Sequence, residues 1–331
     1  MIKVALVFGG KSPEHSVSIV SAKAVFKNID KEKFDVSLVA ISKEGDFFTG
    51  NGAFDFLERG EKAQVKKVNC GIFKSFDVVF PVLHGPFGED GTIQGMLDFL
   101  GIPYVGCGVE ASSICMHKGI SRDLFKVAKL PQPKYIYFHK KEKEQAVQKI
   151  LENFKMPVFV KPCRGGSSIG ISKVKDKKEL GNAVDIAFKY DSEVIVEEGI
   201  SVTKELEVAV LGNNNLTVSP PGSLIPGDEF YTYKDKYIET KTKFEIPAEI
   251  PIHIEKKVKL LSETAFKIVK GKGMARIDFL YDKEKDLVVI NEINTIPGFT
   301  EISMYPKLMA LCGYPFKALV TKLIELALEN A

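Results

Sequence analysis

Met274-Ala275-Arg276-Ile277-Asp278-Phe279-Leu280-Tyr281 is followed, beyond a short charged turn, by Val288-Val289-Ile290-Asn291-Glu292-Ile293-Asn294-Thr295-Ile296-Pro297-Gly298-Phe299-Thr300-Glu301-Ile302-Ser303. Both stretches open as apolar, strand-like runs, and together they set Arg276, Asp278, Glu292 and Asn294 on neighbouring strands. Three of these side chains offer oxygen ligands of the kind a hard cation such as Mg²⁺ prefers, and the fourth is a guanidinium. A strand seldom buries a carboxylate beside Val, Ile and Phe unless a charge or a metal compensates it. Asp278 and Glu292 therefore read as inward-facing metal ligands, with Asn294 beside them. Arg276 reads as a clamp for a phosphate or a carboxylate.

The 331 residues leave room for two or three domains. A net charge of +3, from 46 basic and 43 acidic residues, is too small for the basic stripe that nucleic acid calls for. Cys70, Cys107, Cys115, Cys163 and Cys312 are odd in number and hold no C-x-x-C pair, so they read as reduced thiols of a cytoplasmic protein. The chain opens directly on a strand, Ile2 to Phe8, without the basic and apolar regions of a secretory signal. No apolar run is long enough to span a bilayer, and no membrane partner is expected.

Strand and helix signals alternate through the first third. Ile2–Phe8, Phe34–Ile41 and Asp77–Leu83 read as strands, Ser18–Asn28 and Thr92–Leu100 as helices, and Tyr104-Val105 as a short strand. This βαβ order predicts a doubly wound parallel sheet with helices on both faces and ligand loops at the carboxyl ends of its strands. Gly9-Gly10 and His84-Gly85 fall at such ends. A helix is expected over Ser112–Ala128, broken by Pro131 and Pro133. A second unit follows, with helices at Lys140–Phe154 and Glu179–Tyr190 and strands at Val158–Lys161 and Val194–Glu198. Glu205–Leu211 begins a third block, which holds helices at Ile254–Val269 and Lys317–Glu329. Between them, residues 219–245 form a long aperiodic segment of the sort used as a lid. The expected units are 1–105, 106–200 and 201–331.

Each remaining motif has two readings. Arg164-Gly165-Gly166-Ser167-Ser168-Ile169-Gly170 is an anion nest or a plain hairpin; it lacks the G-K-[ST] of a Walker loop, and Lys161 just before it favours the nest. Lys118 alone on a helix is usually solvated. Glu197-Glu198 is a solvated strand end, or a place where backbone meets an adenine edge while Glu205 takes ribose hydroxyls. Glu14 at a helix start is macrodipole electrostatics or a holder of a substrate ammonium. In His84-Gly85-Pro86-Phe87-Gly88-Glu89-Asp90-Gly91, Asp90 reads as structural and His84 as either turn or site. Lys236-Tyr237 is exposed surface, or a lid that brings a lysine and a tyrosine to the site on closure.

Taken in order, these motifs are specific. The chain resembles the D-alanine–D-alanine ligases of the ATP-grasp superfamily along nearly its whole length. Phe8-Gly9-Gly10-x-Ser12-x-Glu14-x-x-Val17-Ser18, His84-Gly85-x-x-Gly88-Glu89-Asp90-Gly91, Met116-x-Lys118, Lys161-Pro162-x-x-Gly165-Gly166-Ser167-Ser168-x-Gly170, Lys236-Tyr237, Arg276-Ile277-Asp278 and Asn291-Glu292-x-Asn294-Thr295-x-Pro297-Gly298-Phe299-Thr300 carry the resemblance. It implies an α/β and α+β architecture, an ATP-grasp fold behind an N-terminal doubly wound domain. It implies ATP and D-alanine as substrates and an acyl-phosphate intermediate on the way to a peptidoglycan precursor. Lys118, Lys161, Gly166, Ser167, Ser168, Glu197, Glu198, Ile200, Glu205 and Lys236 would meet ATP. Asp278, Glu292 and Asn294 would hold two Mg²⁺ or Mn²⁺ ions, and a monovalent cation is a further candidate. Glu14, His84, Arg276, Gly298 and Ser303 would bind substrate, with Glu14, Ser167, Tyr237 and Arg276 taking part in catalysis. A homodimer is expected from the family alone. Lys236-Tyr237 favours an amine as nucleophile. The rivals are a related ligase for another D-amino acid or a hydroxy acid, a non-catalytic nucleotide sensor, and a nucleic-acid binder.

Overall fold

The structure, a computed structural model, describes residues 1–225 and 243–329. Strand β1 (Ile2–Gly9) is apolar on both faces along most of its length, as a central strand must be. It pairs in parallel with β2 (Phe34–Ile41) and β5 (Val78–Val82), and helix α1 (His15–Asn28) makes the crossover to β2. Antiparallel β3 (Phe47–Thr49) and β4 (Lys66–Val68) extend the sheet, with α2 (Ala53–Arg59) between them in sequence. The strand order is β4-β3-β2-β1-β5. The expected parallel sheet is thus mixed. Only a tight turn joins β2 to β3, closed by the Ser42 N–H on the Asp46 carbonyl at 2.9 Å, and a parallel partner would need a full crossover. Tyr104 contributes a single parallel bridge to Val79 instead of a strand. Alternate residues of β1 serve two cores. Val4, Leu6 and Phe8 pack with α1, while Ala5 and Val7 pack with Ile93 and Leu97 of α3 (Thr92–Leu100).

The helix expected over Ser112–Ala128 is two helices, α4 (Val109–Met116) and α5 (Lys118–Val127). His117 separates them with an extended ψ of 96°, and its Nδ1 accepts the Ile120 N–H at 3.2 Å. A side chain that caps the second helix stops the first from running through. The second sheet is antiparallel, in the order β6-β9-β7-β8, built from β6 (Tyr135–His139), β7 (Val158–Pro162), β8 (Ser172–Val174) and β9 (Glu193–Glu198). Helices α6 (Lys143–Asn153) and α7 (Leu180–Ala187) cover one face. The other face is left for the cleft described below.

The third sheet runs β13-β12-β10-β14-β15, with β11 beside β10. Its strands are β10 (Lys204–Leu211), β11 (Thr217–Val218), β12 (Gly222–Ile225), β13 (Lys243–Glu245), β14 (Met274–Asp282) and β15 (Leu287–Asn294). Leu206, Val208, Ala275, Ile277, Phe279, Val288 and Ile290 point to one side and pack with helix α8 (Ile252–Ile268). The pairing of β14 with β15 shifts register beside Asp278: Phe279 faces Ile290, while Asp278 faces Glu292. Asn291 is therefore an extra residue, a β-bulge. Strict alternation from Ile290 would have sent Glu292 and Asn294 into the α8 core. The bulge reverses the phase and turns both toward the opposite face.

Helices α9 (Met304–Leu311) and α10 (Phe316–Leu328) return to the first sheet. Helix α10 packs on α1 and β5, and Leu319, Leu323 and Ile324 share a core with Val4 and Leu6. Phe299 sits at this junction, its ring 6.2 Å from Phe80, 5.6 Å from Tyr305 and 5.8 Å from Phe316. Among the described residues no helix is long and apolar enough to cross a membrane. Phe299→Ala is expected to destabilise the protein by about 3–5 kcal/mol, the usual cost of emptying an aromatic core site. Phe99→Ala, at a position 91% exposed, should stay within about 0.5 kcal/mol in the same urea titrations.

Candidate active site

A cleft of about 550 Å³ lies between the open faces of the second and third sheets, and loops of the first sheet close one end. It gathers Glu14, His84, Lys118, Lys161, Gly166, Ser167, Ser168, Glu197, Glu198, Ile200, Glu205, Arg276, Asp278, Glu292, Asn294, Gly298 and Ser303. Lys236 and Tyr237, with residues 226–242 of the expected lid, lie outside the described residues.

The floor is the charged face of the third sheet. Glu207 faces Asp278 across one pair of strands, and Asp278 faces Glu292 across the next. Arg276 holds Asp278 through two hydrogen bonds, each 2.7 Å, and lies 3.1 Å from Glu207. Asn294 donates to the same Asp278 carboxylate at 3.0 Å. Burial works against the Arg276 charge, but Asp278 and Glu207 outweigh it and raise its pKa well above the ordinary value. Of the two forms of compensation open from the sequence, a charge is present at Asp278. The guanidinium compensates the carboxylate on β14, so burial alone does not require a metal there. What does suit a hard cation is the donor set. Asp278, Glu292 and Asn294 offer two carboxylates and an amide from adjacent strands on the cleft face, and Mg²⁺ is typically held by one or two carboxylates plus substrate phosphates.

The roof presents cations. Lys118 opens α5 and donates to the Gly165 carbonyl at 2.6 Å. Burial lowers its pKa, and Glu292 across the cleft partly opposes that. Lys161, near the end of β7, donates to Glu197 Oε2 at 2.7 Å. Arg122 donates to Glu197 Oε1 at 2.6 Å. Burial would push the Glu197 carboxyl up, yet Arg122 and Lys161 hold it down at about 2. Both side-chain oxygens of Glu197 are therefore committed to protein cations. The loop after β7 has Gly165 at φ 120°, Ser167 at 53° and Ser168 at 59°. Left-handed backbone at Ser167 and Ser168 is the kind of turn from which anion nests are built. Arg164 anchors the loop to Asp191 at 2.8 Å and to Glu193 at 2.6 Å.

At the closed end, the Ser167 hydroxyl donates to Glu14 Oε1 at 2.6 Å and joins the loop to the first sheet. His84 is buried; its Nε2 is 2.9 Å from Ser21 Oγ and its Nδ1 is 3.1 Å from the Ile296 carbonyl. A carbonyl only accepts, so Nδ1 carries the proton and Nε2 accepts from Ser21. Burial lowers the His84 pKa and keeps the ring neutral. Glu89 accepts the Gly85 N–H at 2.7 Å and the Ile296 N–H at 3.0 Å. Burial, with the Glu14 charge beside it, pushes its carboxyl up to about 8. Ser303 Oγ accepts the Thr300 N–H at 3.0 Å. A Cβ on Gly298 would stand 2.9 Å from that oxygen, so glycine is needed for the two to sit together. Asp90 bonds the Phe87 and Thr92 N–H groups, a structural role in the turn.

Sequence reasoning passed over Arg122, Glu207 and Glu89. Glu207 had a signal, since Glu205-Leu206-Glu207 alternates acid and apolar residues as a one-faced strand does. Arg122 had none, because its partners are 75 and 168 residues away.

The D-ala D-ala ligase N-terminus family matches residues 3–107, and the D-ala D-ala ligase C-terminus family matches residues 124–325. A D-alanine--D-alanine ligase from Caldicellulosiruptor bescii is 46% identical, with 99% of this chain and 96% of that protein covered. Its counterpart from Acetivibrio thermocellus is 44% identical at 99% and 96% coverage. Among solved structures, the VanG D-Ala:D-Ser ligase from Enterococcus faecalis superposes with a TM-score of 0.90 at 37% identity, covering 98% of this chain and 99% of that one. The D-alanine-D-alanine ligase from Coxiella burnetii gives 0.85 at 31% identity, with 99% and 94% covered. The fold is therefore the α/β ATP-grasp fold of these enzymes, and the chain belongs to the D-alanine–D-alanine ligase family.

Proposed function

We propose that the cleft forms D-alanyl-D-alanine from two D-alanine molecules with consumption of ATP, as a step toward peptidoglycan. One observation carries this reading: two partly buried lysines and a glycine–serine loop on the roof face a carboxylate–amide floor, with Glu14 at the closed end. The carboxylate of the first D-alanine attacks the γ-phosphorus of ATP and becomes an acyl phosphate. The amine of the second then attacks that carbonyl, and phosphate leaves.

The roles follow from charge and position. Lys118, Lys161 and the N–H groups from Gly166 to Ser168 bind the triphosphate and offset the repulsion between two anions. Backbone at Glu198 and Ile200 meets adenine, and Glu205 the ribose. A divalent ion, Mg²⁺ or Mn²⁺, would screen the triphosphate charge when held by Asp278, Glu292 and Asn294, and the family pattern favours two. Glu14, oriented by Ser167, holds the ammonium of the first D-alanine. A protonated Glu89 limits negative charge there and braces the Ile296 backbone. Arg276 and the Gly298 backbone receive the oxyanion of the tetrahedral intermediate. Ser303 takes the carboxylate of the second D-alanine. Lys236 is assigned to ATP and Tyr237 to catalysis on the family pattern alone. We keep the division at residues 105 and 200, supported by each sheet falling within one unit, and infer a homodimer working in the cytoplasm. The likeness to a D-Ala:D-Ser ligase favours a second reading, in which D-serine is the second substrate.

Purified protein with ATP and Mg²⁺ should release phosphate and D-alanyl-D-alanine together when D-alanine is added, with L-alanine inert. A dipeptide ending in D-serine, formed in preference, would establish the second reading; nucleotide binding without any dipeptide would overturn both. Arg276→Lys keeps the charge that Asp278 and Glu207 need but loses the fork, and should lower kcat by about 10²-fold while ADP still binds. Turnover close to that of the unaltered enzyme would remove the oxyanion role. Glu89 titrates near 8 in the fold against 4.5 ordinarily, so folding takes up a proton between those values. Its contribution to stability is then full below the lower value and lost as pH rises through the higher one. Urea titrations across that window should show Glu89→Gln gaining on the unaltered protein with rising pH; a constant difference would refute the shift.

A further inference from the structure

We propose that Arg122 is a positioning residue that fixes the direction of the Lys161 ammonium through Glu197 and thereby sets the affinity for ATP; this rests on the ligase reading above. Arg122 lies one helical turn after Lys118, so α5 presents both on one face. Arg122 is 2% exposed and Glu197 is 3% exposed. The guanidinium reaches in two directions. Its Nε donates to Glu197 on β9, and its NH1 donates to the Ile290 carbonyl on β15 at 2.7 Å. Ile290 immediately precedes the bulge residue Asn291, and its N–H donates to the Pro131 carbonyl at 2.9 Å. One side chain thus ties the roof sheet to the floor sheet at the bulge that turns Glu292 into the cleft.

Glu197 stands between two cations, one on each oxygen, with Arg122 at 2.6 Å and Lys161 at 2.7 Å. Two positive charges against one negative leave a surplus positive charge, and Lys161 carries it to the cleft wall. If Arg122 is removed, one oxygen of a buried carboxylate loses its donor, which is costly. Lys161 is then the nearby cation able to compensate it, and the same carboxylate draws the ammonium off the triphosphate. A lysine in place of Arg122 keeps the charge but cannot serve two divergent acceptors in a fixed plane.

The test compares Arg122→Met, Arg122→Lys, Glu197→Gln and the double variant Arg122→Met/Glu197→Gln. The readouts are KM for ATP, KM for D-alanine, ADP affinity by calorimetry and the thermal unfolding midpoint. Arg122→Met should raise the KM for ATP about tenfold or more and leave that for D-alanine within about twofold. Arg122→Lys should recover part of the loss. The double variant should be no worse than the worse single variant, because both act through one carboxylate. A folded Arg122→Met with an unchanged KM for ATP, an equal rise in both KM values, or additive losses in the double variant would overturn the relay. If Arg122→Met does not fold, the same criteria apply to Arg122→Lys. Unaltered protein that binds ADP but makes no dipeptide would defeat the ligase reading alone, and the relay would be judged on ADP affinity. Unaltered protein that binds no ADP would defeat both.

Discussion

Side chains on a strand alternate between faces with period two, and β15 must change phase part way along. Val288 and Ile290 serve the core under α8, and Glu292 and Asn294 face the cleft. Both sets could not be served by an unbroken ladder. The extra residue at Asn291 resolves the conflict, and the rest of the site builds on it. It sets Glu292 opposite Asp278, which allows the paired carboxylates of the floor. Beside it, the Ile290 carbonyl receives Arg122 from the roof. Bulges are common where a strand must re-aim a side chain beside a site, and this one joins floor and roof as well.

The charges on the two walls of the cleft are organised in two small sets. Arg276 is shared between Asp278 and Glu207, and Glu197 between Arg122 and Lys161. Removing one member of a buried pair commonly costs about 3–5 kcal/mol, because its partner is left without compensation. The two sets have opposite sign. Among the described residues, the floor set holds two carboxylates to one guanidinium and the roof set two cations to one carboxylate. A polyanion accompanied by metal therefore finds a complementary surface on each side.

Much of this arrangement was legible in the chain. The strands of β1 and β2, the glycine loop and the carboxylate strands each have local signals, in apolar runs, glycine spacing and acids at alternating positions. The three-residue strands β3 and β4 do not, since so short a segment has no period to read. The break at His117 was hidden because capping depends on where a side chain points, and Met116-His117-Lys118 looks helical by composition. The bulge at Asn291 was hidden because it arises from two demands on one strand, and those demands are set by α8 and the cleft. Arg122 could not be read at all, because its meaning comes from strands far along the chain. The pairing of Arg276 with Asp278 is not legible in sequence, because alternation places the two on one face without saying that they bond.

The packing of α10 on α1 and β5 bears on how the protein is made. β5 ends at Val82 and α10 starts at Phe316, so the first sheet is complete long before its cover exists. At the usual pace of synthesis the interval is on the order of 10–50 s. Through that time, the part of the sheet and of α1 that Leu319, Leu323 and Ile324 will shield has no partner from its own chain. The core of the first unit is therefore finished from the far end of the polypeptide. The order of synthesis, not only the final packing, is thus part of what the sequence has to satisfy.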